Sequence, residues 1–564
     1  AEAIKAIEGD RTFQFKAAID NVLSGAALKA RNAWRWQELP RLFIVSHALL
    51  RTGQLAQAKA HYDRLLAIPE TKDNGEIYWN ALFDRGTIAE REGDLPGATE
   101  FFRRAIEAIE EQRSSITQET SKIGFLHDKQ EPFDRLIRLL FDAKRDGEVF
   151  DYIERSKSRA MLDMLAGKVT FNEQLLTPDG PVRVRDASSW DRLQIQVSRI
   201  RSSVPRPAGR VALSSSAALP DNVDPESDFA VLTVPAVELA GVLGRDEAVV
   251  QYYLGSNYLA VSLLTIEGHV AARRPIGSIV EDALALRKLA GTLTASPEEI
   301  SAVSKRLHRE LIEPIRAVVR GKRLTLVPHG ALHYVPFAAL QDAASGRALI
   351  EDHTLRVLPS ASLVGMLKTT PAAPAKRLLV VGNPTGDLPG AESEAKAIAS
   401  VFPDTRLLLG KAATRDEFIR LAGRHDRIHI AAHAKFFADR PLDSAILFSP
   451  SREDKGMLTV RDLYRMRFDA ELVVLSACDT GISRIHSGDE LVGLIRGFLY
   501  GGARSIVATL WEIEDESAAA FALHFYRNLA SMDKASALRA AVLSVKAKHA
   551  HPIFWAPFLL TGGV

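Results

Sequence analysis

A chain of 564 residues exceeds the ~250 to 300 over which one hydrophobic core keeps growing, so two or more domains are expected. With 46% hydrophobic residues, 25% charged residues and a formal net charge of +2, the composition is that of an ordinary globular protein, with no general pull toward nucleic acid or an acidic membrane. A single cysteine excludes an internal disulfide; with no apolar run near the ~20 residues that span a bilayer and no apolar signal region after Ala1, a cytoplasmic location is expected.

Residues 1–170 read as helical, because Ala, Leu, Glu, Lys and Arg dominate and β-branched runs are almost absent. Two stretches repeat one scheme of helix, glycine turn, Leu and then Ala three residues on, at Gly53-Gln54-Leu55-Ala56-Gln57-Ala58 and Gly93-Asp94-Leu95-Pro96-Gly97-Ala98. A third, weaker copy is centred on Gly147. The scheme resembles stretched tetratricopeptide (TPR) repeats, which stack helix pairs into a solenoid with a concave face suited to binding protein. The plainer reading is an anonymous helical bundle. Residues 171–228 accumulate Pro and Ser and read as a linker with one short helix around Trp190–Ile200. Its arginines read as a solvated face, since aromatic residues that would stack on bases are nearly absent, and no direct contact with nucleic acid is expected.

From residue 229 the pattern changes to strands alternating with helices. Residues 248–266 form a hairpin turning at Gly255-Ser256-Asn257, two helices follow, and Leu324-Thr325-Leu326-Val327 is a buried strand. His329 and His333, in the loops that follow, read as structural. After residue 370 come strands at 378–382, 427–432, 472–477 and 505–510, separated by helices near 391–402, 414–422, 489–500 and 517–530. Strands separated this way predict a parallel sheet with helices on both faces. Strand polarity then brings His433, Cys478 and the loop 511–515 to one carboxyl edge, where α/β folds form their crevices.

Cys478 is the only cysteine and follows the apolar run Leu472-Val473-Val474-Leu475. Alone, it reads as a small buried hydrophobe. The run Arg427-Ile428-His429-Ile430-Ala431-Ala432-His433 has the same design, an apolar strand ending in a chemically active side chain. An imidazole beside the thiol would supply the base that a thiol of pKa ~8.5 needs at neutral pH. The spacing of His425, His429 and His433 suits a helix face, but the β pattern around them and the lack of an intervening Glu argue against a metal, and no cofactor is expected.

The ordered segments Gly456-Met457-Leu458-Thr459-Val460-Arg461-Asp462-Leu463, 472–481, Gly488-Asp489-Glu490-Leu491, Gly501-Gly502-Ala503-Arg504-Ser505 through Trp511-Glu512, and His551-Pro552-Ile553-Phe554-Trp555 resemble the CHAT domain. The resemblance runs from about residue 246 to the C-terminus and implies an α/β caspase-like fold related to separase, behind an all-α TPR-like solenoid. It implies a non-catalytic half over 229–370 and a catalytic half over 371–564. It further implies a cysteine endopeptidase with Cys478 as nucleophile and His433 as general acid/base, in a setting of bacterial defence against phage. Its TPR-like region would bind a protein regulator or substrate.

The oxyanion hole would be formed by the backbone N–H groups of Cys478 and Ala434. Ala434 stands where many relatives carry Gly, a substitution that suits the site only if that turn needs no positive φ. Ser476 stands where caspases carry Gln, which argues against caspase-type cleavage after Asp. By analogy with separase, an acidic residue near the end of the 505–510 strand would bind a basic substrate residue; Asp515 is the first candidate and Asp479 the second. Asp515 reads equally well as capping the following helix. The alternative for the whole protein is a caspase-like scaffold without activity, against which the presence of both His433 and Cys478 counts. Neither substrate nor oligomeric state is legible.

Overall fold

The computed structural model describes residues 33–114, 129–157, 233–368, 377–402, 404–435, 443–452, 454–476 and 494–563. Cys478, Asp479, the linker 171–228 and the segment 483–489, expected to be a loop ordering on binding, lie outside the described residues. The chain forms two compact units, Ala1–Arg145 and Asp146–Val564.

In the first unit, helices α1 (Ala33–Arg51) and α2 (Leu55–Leu66), and α3 (Gly75–Arg91) and α4 (Leu95–Ser114), form pairs, followed by α5 (Glu131–Asp142). Gly53 and Gly93 take φ of 79° and 81°, the left-handed conformation that lets each pair reverse. Ala58 and Ala98 are fully buried, as close helix packing requires. The third copy differs from expectation. Lys144 takes φ of 55°, while Gly147 lies inside α6 (Asp146–Ser156), which begins the second unit. The turn is set by where the helix before it ends, and α5 ends at Asp142.

The second unit is built on one 11-stranded sheet, in the order β3-β2-β1-β4-β5-β14-β13-β12-β8-β6-β7. The strands are β1 (Glu247–Leu254), β2 (Tyr258–Thr265), β3 (Gly268–Pro275), β4 (Arg323–Val327), β5 (Leu355–Val357), β6 (Leu378–Gly382), β7 (Thr405–Leu409), β8 (Arg427–Ala431), β12 (Leu472–Ser476), β13 (Ser505–Thr509) and β14 (Phe558–Gly562). β9 (Ala434–Lys435), β10 (Ala445–Leu447) and β11 (Met457–Thr459) form a separate small sheet. Among the described residues, the helices of seven residues or more that follow α6 are α7 (Ile279–Ala290), α8 (Pro297–Leu311), α9 (Pro389–Val401), α10 (Arg415–Ala422), α11 (Leu494–Tyr500), α12 (Asp515–Asn528) and α13 (Lys534–Lys548).

The strand β14 was not legible as an inserted strand, and it joins the two halves. It runs parallel to β5 and antiparallel to β13, so strand polarity reverses there. The carboxyl ends of β1, β4 and β5 therefore face one edge of the sheet, and those of β13, β12, β8 and β6 the other. Alternating side chains feed two cores. Leu472 and Val474 join one with Phe521, Phe525 and Ile398, and Val473 and Leu475 join the other with Ile428, Ile430 and Phe498.

At the carboxyl edge of the first half, α6 and the residue after it insert two buried charged groups. Glu154 accepts hydrogen bonds from Gln251 Nε2 at 2.7 Å, Ala361 N at 3.0 Å, Ser362 N at 2.9 Å and the Ser360 hydroxyl. Lys157 Nζ donates to the carbonyls of Val327 at 2.7 Å and Pro328 at 3.0 Å, where β4 ends. His329 accepts from Leu254 N at 2.8 Å and stacks on Tyr253, which makes it a structural residue.

Candidate active site

Strands β8 and β12 are direct parallel neighbours, with Val474 opposite His429 and Ser476 opposite Ala431. β6 lies on the far side of β8 and β13 on the far side of β12. His433 follows β8 at the carboxyl edge and is about one-third exposed. Cys478 follows Ser476 by the same two residues in the sequence that separate His433 from Ala431. Ser476 is the last described residue of that strand.

The loop after β6 supplies a residue that sequence reading missed. Asn383 takes φ of 49°, which Asn tolerates better than most residues, and its N–H extends the ladder to Ala431 O at 3.0 Å. Its side-chain oxygen accepts from Leu388 N at 2.8 Å, which closes the loop 383–388. The closed loop presents Asp387, whose Oδ1 lies 3.2 Å from His433 Nε2. A hydrogen bond from the Thr385 hydroxyl is the main reason its carboxyl titrates below the usual range, with the His433 ring adding to it.

Ala434 starts β9 in an extended conformation. Among the described non-glycine residues only Lys144 and Asn383 take positive φ, so the turn after His433 does not require glycine. Ala434 pairs with Ile446, and the flanking bond from Leu447 N to His433 O at 2.8 Å marks a non-hydrogen-bonded pair. The Ala434 N–H therefore points away from β10. The loop 449–456, rich in Gly, Ser and charge, is tied down in its described residues. Ser449 N donates to Ala413 O, Gly456 N to the Asp454 carboxylate, and Arg415 bridges Asp454 and Asp462.

Asp515 stands exposed in the first turn of α12, where its charge favours the helix dipole. It lies against the start of α9, since a Cβ on Gly390 would meet its Oδ2 at 1.9 Å. Trp511 anchors the preceding loop by donating to Ile553 O at 3.0 Å.

Beneath the edge lies a second group that sequence reading passed over. Glu394 of α9 is 4% exposed and accepts from the Ser476 hydroxyl at 2.9 Å. Its other oxygen is 3.2 Å from Nε2 of His429, which is fully buried on β8. The signal was available: Ala391, Glu394, Ala395 and Ile398 form the buried stripe of α9, and a Glu within such a stripe is unusual. α9 sits this close because β6 ends in Gly382. A Cβ there would stand 2.5 Å from Ala395 Cβ and 3.0 Å from Ala391 O. Gly382→Ala is expected to cost about 1–3 kcal/mol, read by chemical denaturation.

These features lie in a stretch of the chain that is similar to known proteins. Residues 301–563 match the CHAT domain. Mouse tetratricopeptide repeat protein 28 is 26% identical over 351 residues, covering 48% of this chain and 14% of that protein. Its human counterpart is 25% identical over 305 residues, covering 43% and 12%. The chain thus spans about a seventh of the length of these curated relatives. In fold it is similar to a chain of the Saccharomyces cerevisiae separase-securin complex, with a TM-score of 0.52 at 10% identity, over 98% of this chain and 46% of that one.

Proposed function

We propose that the CHAT domain, separase-like in fold, is a cysteine endopeptidase with Cys478 as nucleophile and His433 as general acid/base. The observation that carries this reading is the register of β8 and β12. It sets the strand that leads to His433 directly beside the strand that leads to Cys478, at equal offsets. The Cys478 thiol gives its proton to His433 and the sulfur attacks the peptide carbonyl carbon. The N–H groups of Cys478 and Ala434 hold the oxyanion. The imidazolium then protonates the leaving amine as the C–N bond breaks, and water attacks the thioester with His433 as base. With Asp387 beside Nε2, Nδ1 is the ring nitrogen assigned to the thiol. Asp387→Asn is expected to slow turnover about three- to tenfold, a modest effect because the pair is exposed.

The first half takes no part in the chemistry in this reading. Its carboxyl edge faces the opposite way and is filled by Glu154 and Lys157. The helix pairs of the first unit are assigned to a protein regulator, with no direct role for nucleic acid, in the bacterial defence that the family resemblance implies. Substrate cleavage is assigned to basic residues, with Asp515 as the group that meets them and Asp479 as the second candidate. An Arg side chain covering Asp515 would desolvate the pair and strengthen it. Fluorogenic peptides differing only at the residue before the scissile bond test the assignment. Wild type should prefer Arg, and Asp515→Ala should erode that preference; a preference for Leu or Asp would overturn it.

A further inference from the structure

Glu394, His429, Tyr526 and Ser476 form a buried polar chain with no role in the bond-breaking steps above. Glu394 is on α9, His429 on β8, Tyr526 on α12 and Ser476 at the end of β12. Tyr526 is 1% exposed, and its hydroxyl lies 3.3 Å from His429 Nδ1. Burial pushes the phenol's pKa far up, so Tyr526 keeps its proton beside Nδ1. On the other side of the ring, Nε2 lies 3.2 Å from Glu394 Oε1 but is poorly aligned for a hydrogen bond. The second carboxylate oxygen takes the Ser476 hydroxyl.

Stability does not explain this chain. A buried carboxylate and imidazole cost several kcal/mol of desolvation, and apolar residues of similar size would pack without that cost against Ala395, Ile398, Val474 and Phe525. The geometry offers another reason. One oxygen of the carboxylate is hydrogen-bonded to β12 and the other lies 3.2 Å from a ring nitrogen on β8, and these two strands lead to the proposed nucleophile and the proposed acid/base. Cys478 follows Ser476 by two residues, and His433 follows His429 by four.

We propose that Glu394 is a positioning residue that fixes the end of β12 relative to β8, and so sets the alignment in which the Cys478 thiol attacks. This rests on the peptidase reading. A rigid helix tied to the end of β12 and the middle of β8 replaces two independent loop positions, and a displacement of about 1 Å at a reacting pair costs as much as a hundredfold in rate.

The test uses the full chain and its single cysteine, which makes every adduct assignable by intact mass. One probe is a peptidyl acyloxymethyl ketone ending in Arg, in which the sulfur displaces the carboxylate leaving group to form a thioether. The other is iodoacetamide, which reports thiolate fraction and access without demanding alignment. Glu394→Gln and Ser476→Ala should each slow inactivation by saturating peptide probe about tenfold, with half-saturating concentration and iodoacetamide rate within about twofold of wild type. If Glu394→Gln does not fold, Ser476→Ala decides. Wild-type rates in both variants, or equal slowing with both probes, would overturn the positioning role while leaving the peptidase reading intact, provided His433→Ala slows the peptide probe. A wild type that reacts with the peptide probe no faster than His433→Ala would remove both.

Discussion

Replacing Cys478 by Ala is expected to reduce peptide cleavage to background, and replacing His433 by Ala to slow it by on the order of 10³-fold. Neither change should unfold the protein. His433 is about one-third exposed at the sheet edge and lies outside both apolar cores, so its removal leaves no cavity. Far-UV circular dichroism and the denaturation midpoint of each variant should match wild type, with activity measured on the same samples. His433→Ala with more than a tenth of wild-type turnover would contradict the assignment of its role.

The second large effect is on stability. Glu154→Ala is expected to cost about 3–5 kcal/mol, because it leaves the donors of Gln251, Ser360, Ala361 and Ser362 without their acceptor inside the protein. Lys157→Met should cost less, about 1–3 kcal/mol, since the ammonium leaves with its charge and strands the neutral carbonyls of Val327 and Pro328. Chemical denaturation of the full chain reads both. A loss under about 1 kcal/mol for Glu154→Ala would mean that the freed groups rehydrate and that α6 is held by its apolar contacts alone. The placement of α6 also dictates how the first unit should be removed. A truncation at Arg145 keeps the two charged groups, whereas one near residue 165 empties the carboxyl edge they fill.

The strands that position the candidate site were legible because each is a short apolar run with a clear end. β6 matches the expected 378–382, β8 and β13 each stop one residue short of expectation, and β12 is strand through Ser476, its last described residue. Parallel pairing followed from the helices between them. What could not be read was tertiary. β14 sits between β5 and β13 although its residues close the chain, and nothing local in Phe558-Leu559-Leu560 specifies an antiparallel partner. Asp387 was hidden because its loop, Asn383-Pro384-Thr385-Gly386-Asp387, reads as an ordinary turn until β6 is known to border β8. Glu394 stands out in the sequence as a Glu within an apolar stripe, but its partner Ser476, 82 residues away, was hidden. Ala434 is the opposite case. The departure from glycine at that position looked costly from sequence, and the extended backbone of β9 removes the cost.

If this chain cuts proteins through Cys478, it leaves new N-termini in its substrates. The most direct measurement is to incubate cell lysate with wild type and with Cys478→Ala and to map new protein N-termini by mass spectrometry. The expected result is N-termini that appear only with wild type and that follow Arg or Lys in the parent sequences. The same set of N-termini with both proteins would contradict it.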